Sequence, residues 1–148
     1  MEWLGRWVGE AERARLDEVT LDLTPSRSIG LAGAVTSWQA HIAKLDADLG
    51  LPPDDHSLWV SHDLVAAVII RDMVAELTGR AGPELRAAIE PAIADADRQY
   101  RDFTEPDEDG CLVRVDGRDL ADRDWWWHRI PRRGPIRREL EQEWSHRK

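Results

Sequence analysis

Seven consecutive side chains, Leu64, Val65, Ala66, Ala67, Val68, Ile69 and Ile70, carry no polar atom. Whatever structure they adopt has to be covered on every side. A buried strand would satisfy the run alone, but the flanks extend it. Ser57 precedes it, Ala75 and Leu77 follow it, and Gly79 and Gly82 stop it, which gives about twenty residues, a helical length rather than the ~4–8 of a strand. The reading is a central helix over 57–78, capped at its start by Asp54, Asp55 or Ser57 and at its end by glycine. Ile69 is expected in the core.

Other helices surround it in the chain. Leu31, Val35, Trp38, Ile42, Leu45 and Leu49 recur every three or four residues, one apolar stripe on a helix over 26–50. Thr24 followed by Pro25 suits its start, a capping hydroxyl before proline at the first helical position, and Gly50 with Pro52 and Pro53 suits its end. From Pro83, the residues Leu85, Ile89, Ile93, Ala96, Tyr100 and Phe103 draw another stripe, with a kink or break expected near Glu90 because Pro91 removes a hydrogen bond and clashes with the preceding turn. A shorter first helix over 2–17 would turn Leu4, Trp7, Val8, Ala11 and Ala14 inward. Residues 19–23 alternate with period two, and 112–115 is a second β-prone run, so a small two-stranded ribbon is expected. A last helix runs from about Pro135 to Trp144.

These elements predict an all-α fold, a bundle of about four helices with a C-terminal Trp/Arg-rich arm and terminal helix, in one domain spanning 1–148. At 148 residues the chain has the commonest size of a single domain. No apolar run approaches the ~20 residues that cross a bilayer, so no membrane partner is expected. The first residues lack the basic and apolar pattern of a secretion signal, and Cys111 is the only cysteine, so neither an internal disulfide nor a four-cysteine zinc site can form. Both features suit a reducing cytoplasm. Arginine-rich, lysine-poor composition points to a GC-rich bacterial source.

Charge divides the chain. Residues 1–122 carry 12 basic and 25 acidic side chains, a net −13, and form an acidic body; residues 123–148 carry 8 and 4, a net +4. An acidic body disfavours nucleic acid and favours basic protein partners.

Three places invite a site. Glu105, Asp107, Asp109, Gly110, Leu112 and Asp116 follow a helix with spacing that resembles an EF-hand calcium loop over twelve residues, and the resemblance implies calcium. It departs at both ends, where Glu105 stands for the first Asp and Asp116 is too short to imitate the closing bidentate Glu, while Pro106 stiffens the entry; the bland alternative is an acidic solvated turn. His41, His62 and Asp63 are the other metal candidates, although no His-x-x-x-His pair exists. Ser61, His62 and Asp63 are a catalytic triad only in print, because neighbours on a helix point apart. No glycine-rich phosphate loop or nucleophile elbow occurs, and neither a cofactor nor a catalytic residue is expected. The third place is the arm. Trp125, Trp126 and Trp127 cannot share one face, and with Arg129, Arg132 and Arg133 they offer the residue types that dominate protein interfaces. In an extended segment Trp126 would face outward. Against that stands an arm folded back on the acidic body.

The function expected is a small non-enzymatic protein-binding or regulatory domain, of the immunity or antitoxin kind, directed at a basic protein. The rivals are a metal- or ligand-binding helical enzyme and a nucleic-acid-binding protein that uses the arm.

Overall fold

A computed structural model describes residues 2–118 and 122–146, leaving out the side chains of 144–146. Lys148 and the side chain of Trp144 therefore lie outside the described residues. Among those described, the chain is mostly helical, with six α-helices and two small antiparallel two-stranded sheets. No described helix is long and apolar enough to cross a membrane. Contacts divide the chain into two compact units, Met1–Ala40 with Ile69–Arg98, and His41–Val68 with Gln99–Lys148.

In the first unit, the expected helix over 2–17 is two pieces, a 3-10 turn Trp3–Arg6 and α1 (Glu10–Leu16). Glycine explains the break. Gly9 is extended, at φ −80° and ψ 171°, and its N–H donates to the Glu12 carboxylate at 3.3 Å, so it caps α1 instead of continuing a helix. Leu4, Val8 and Leu16 are buried, whereas Ala11 and Ala14 are exposed and Trp7 is 39% exposed.

Strands β1 (Thr20–Thr24) and β2 (Arg27–Gly30) form a hairpin with Leu21 opposite Ile29. The alternation in 19–23 does mark a strand, but its partner is this next segment and not 112–115. Thr24 and Pro25 likewise lead into the hairpin turn, where a fixed φ is equally welcome, and do not start a helix. Helix α2 (Leu31–Asp48) begins later, its Gly33 N–H held by the Asp17 carboxylate at 3.1 Å. Gly30 has to be glycine, since a Cβ there would sit 2.5 Å from Asp17 Oδ1 and 2.7 Å from its Cα.

The later part of α3 (Ser61–Arg80), from Ile69, and most of α4 (Pro83–Phe103), up to Arg98, belong to this unit. α4 is one continuous helix through the exposed Pro91, not two. Three side chains from three helices meet in the core: Trp38 Nε1–H donates to Asp97 Oδ1 at 3.0 Å, while Arg71 makes a two-pronged pair with Asp97, Nε to Oδ1 at 2.9 Å and Nη2 to Oδ2 at 3.0 Å. Trp38 is fully buried, and the Arg71 and Asp97 side chains are each only 10% exposed. Arg86 donates to the carbonyls of Thr78, Gly79 and Ala81, which satisfies acceptors left open where α3 ends.

In the second unit, Asp48 is 2% exposed and anchors the α2–α3 loop, accepting from Lys44 Nζ and, at 2.9 Å, from the Trp59 N–H. The start of α3 is set by Asp63, whose carboxylate accepts the Val60 N–H at 2.8 Å; Asp55 holds a separate turn at Ser57. α3 therefore starts four residues later than expected. Its apolar run is not covered all round. Leu64, Val65, Ala67 and Val68 are buried, Ala66 is exposed, and Ile69 and Ile70 are half-buried. Strands β3 (Thr104–Pro106) and β4 (Arg129–Pro131) pair with Glu105 opposite Ile130. Between them, α5 (Cys111–Asp116) occupies residues expected as a strand, and a 3-10 turn Trp125–His128 leads back to β4. Helix α6 (Pro135–His146) follows Gly134, whose φ of +94° and 2.6 Å Cβ approach to Leu49 Cδ2 exclude a side chain.

Candidate binding site on the acidic loop

The Trp-rich arm folds back. The 3-10 turn at Trp125–His128 fans the tryptophans by about 120° each. The expected strand-like alternation therefore fails, and with it the outward Trp126. Trp126 is 4% and Trp127 1% exposed, while Trp125 is half-buried with Arg101 stacked 3.8 Å from its ring centre. The buried Tyr100 hydroxyl donates to the Trp126 carbonyl at 2.9 Å and the Arg129 carbonyl at 3.3 Å, and burial pushes its phenol far above the ordinary range, so it remains a donor. Arg129 reaches the Thr104 hydroxyl at 2.9 Å and carbonyl at 2.8 Å; burial lowers its affinity for a proton without neutralising it. Arg123 lies 4.2 Å from the Trp127 ring centre and pairs with Asp116 at 2.8 Å. Arg132 and Arg133 are exposed, and Arg133 donates to the Leu49 carbonyl at 2.9 Å.

By pairing β3 with β4, the fold lays the arm beside the acidic loop, and a pocket of about 240 Å³ opens there. Glu105, Pro106, Asp107, Glu108, Asp109, Ile130 and Arg137 line it. A smaller hollow of about 60 Å³ shares Asp109, Ile130 and Arg137 with it and adds Cys111, Leu140 and Glu141. Among the described residues Arg137 contributes the only positive charge in either lining, and it is engaged on both sides, by Glu105 at 2.6 Å and Glu141 at 2.9 Å. The hydrogen bonds it donates, to Glu141 first and to Glu105, raise its affinity for a proton against the opposing effect of burial.

Asp107, 8% exposed, faces the backbone as well as the pocket. Its oxygens accept the N–H groups of Cys111 at 3.1 Å and Leu112 at 2.9 Å, closing the start of α5, while its own N–H donates to the His128 carbonyl at 2.8 Å. Glu108 and Asp109 are exposed and make no ion pair among the described residues. Burial, reinforced by Asp107, pushes the Cys111 thiol up, away from the reactive thiolate.

The loop that resembles an EF-hand is thus put to other uses. Asp107 is a helix cap, and Asp116 is held by Arg118 at 2.9 Å and by Arg123. Burial alone would raise the Asp116 carboxyl, yet the two guanidinium groups keep it below the usual carboxylate range. His41 lies against Trp59 with ring centres 5.1 Å apart, His62 is exposed, Asp63 caps α3, and the buried Ser61 gives its N–H to Glu139 at 3.1 Å. Among the described residues no three His, Cys, Asp or Glu side chains stand together as a metal-holding group.

Sequence reasoning passed over Ile130, Arg137 and Glu141. Only the Arg137–Glu141 spacing, one helical turn, announces itself in the chain. What the arrangement can do is receive a cation, since the lining is carboxylate-rich and its one guanidinium is already paired. Protein-family models, curated proteins and solved structures were each compared with the chain, and none matches.

Proposed function

We propose that this chain is a non-enzymatic protein-binding domain whose partner is a basic protein, with a lysine or arginine side chain of that partner entering the pocket at Glu105–Asp109. The observation that carries the reading is the charge of that lining. Four carboxylates face one arginine that Glu105 and Glu141 already hold, and the exposed Glu108 and Asp109 have no ion partner among the described residues. An ammonium or guanidinium placed there gains charge-assisted hydrogen bonds at little desolvation cost to the rim. The pocket is smaller than those that enclose drug-sized ligands and suits one side chain. A cytoplasmic setting agrees with the single, unpaired cysteine.

Burial of Trp126 and Trp127 removes two of the three stacking surfaces that a nucleic-acid role would use. The partner surface therefore shifts from the arm to the acidic loop beside it.

The test is affinity purification of the partner from the source cells, followed by binding of that purified partner to wild type and to the Glu108→Lys, Asp109→Lys double variant at low and high salt. The expected partner is basic, binds more weakly as salt rises, and is lost to the variant while its circular dichroism stays unchanged. An acidic partner, or binding indifferent to both reversal and salt, refutes the proposal.

A further inference from the structure

The first unit carries a second concavity, unrelated to any motif in the sequence. Where the 3-10 turn Trp3–Arg6 gives way to α1, residues 7–9 are extended or turned, and a cleft of about 430 Å³ opens, within the ~300–1,000 Å³ range of ligand-holding sites. Gly5, Val8, Gly9 and Ala14 supply a floor with almost no side-chain relief. A Cβ built on Gly9 would meet nothing within 4 Å, so the backbone here lies open.

The rim is charged in one sense. Among the described residues Glu10 and Asp17 stand on it as carboxylates with no ion pair, Asp17 also accepting the Gly33 N–H, and the one cation in the lining, Arg13, is paired with Glu2. A smooth apolar floor accepts main chain and small side chains, and an acidic rim accepts flanking cations. The rim holds three carboxylates to one guanidinium, so an anionic occupant would meet net negative charge.

We infer that this cleft docks an extended segment of a protein partner in which lysine or arginine alternates with small residues. The inference rests on the basic partner proposed above and adds a contact in the other unit. The rim charge selects the segment's cations, and the glycine floor selects its small residues.

The probe is a short peptide of alternating arginine and alanine, titrated at low salt into 15N-labelled protein, with a glutamate–alanine peptide as control. Saturable shifts of the Gly5, Gly9 and Ala14 amides are expected with the arginine peptide alone. Glu10→Lys with Ala14→Phe, both at exposed positions, should abolish those shifts and leave the shifts at 105–109 in place. Glu108→Lys with Asp109→Lys should do the reverse. Wild type with shifts at 105–109 and none at Gly5, Gly9 and Ala14 overturns the cleft while leaving the pocket standing. Cleft shifts that survive Glu10→Lys with Ala14→Phe, or appear equally with the glutamate peptide, overturn it as well. Cleft shifts without any at 105–109 uphold this inference and remove the pocket instead.

Discussion

Removing Asp97 is the sharpest test of how the first unit is held. Its carboxylate accepts two hydrogen bonds from Arg71 and one from Trp38, at 2.9 to 3.0 Å, with Arg71 and Asp97 each 10% exposed. A hydrogen bond to a charged group contributes ~1.5–3 kcal/mol, and water has little access to replace these. Asp97→Ala would also take the Asp97 carboxylate away from a guanidinium buried in the core, and breaking a buried pair from one side costs ~3–5 kcal/mol. The loss expected is therefore ~3–5 kcal/mol, a large share of a small domain's ~5–15 kcal/mol. Arg71→Met should cost a similar amount for the mirror reason. The double variant Arg71→Met, Asp97→Leu removes both charges at once, so its loss should fall to ~1–3 kcal/mol, well below the sum of the single losses. Urea unfolding followed by far-ultraviolet circular dichroism gives all three values. A loss below ~1 kcal/mol for Asp97→Ala, or additive losses in the double variant, would refute the reasoning.

Trp126→Ala should cost ~3–5 kcal/mol in thermal or urea unfolding, and the half-buried Trp125→Ala distinctly less; equal losses would contradict the 3-10 fan. Asp107→Ala should cost ~0.5–2 kcal/mol through the lost cap of α5, and calorimetry with calcium should show no saturable site in wild type, because binding there would have to pull the Asp107 oxygens from two backbone amides. Asp116 is held below the ordinary carboxylate value, so its contribution is complete above the unfolded value of ~3.9 and is lost as pH falls through the folded one; Asp116→Asn should flatten the acid limb of stability below about pH 4. Cys111 should react with iodoacetamide at pH 8 more slowly than an open peptide thiol, and unfolding in urea should erase the difference.

The long helices were legible because their stripes are. Trp38, Ile42 and Leu45 recur at helical spacing and are all buried, as are Ile89, Ile93 and Tyr100. Their ends were less so. Thr24 and Pro25 suit a helix start and a hairpin turn alike, and only the pairing of Leu21 with Ile29 decides between them. Gly9 interrupts the first helix although its neighbours keep the period. Residues 112–115 have strand-forming side chains, but Asp107 offers two amides a cap and the helix wins. The run at 64–70 promised complete burial, yet hydrophobicity says what a helix prefers and not how many neighbours reach it. In the candidate site, the acidic loop and the arm were each conspicuous, and their meeting was not. That meeting depends on β3 pairing with β4 across more than twenty residues, and on arginines that seek main-chain carbonyls, which every residue offers.

Those carbonyls have a practical consequence. Arg80, Arg86, Arg129 and Arg133 reach main-chain oxygens, so several of the chain's guanidinium groups are tied to neutral dipoles at hydrogen-bond range. Dissolved ions weaken attraction between separated charges over a Debye length of ~10 Å at 0.1 M, but they compete poorly with a short bond to a fixed carbonyl. Internal ties and outward carboxylates should then respond to electrolyte at different concentrations. Raising sodium chloride would strip a basic ligand from a protein that stays folded, which makes gentle salt elution the natural way to recover both intact.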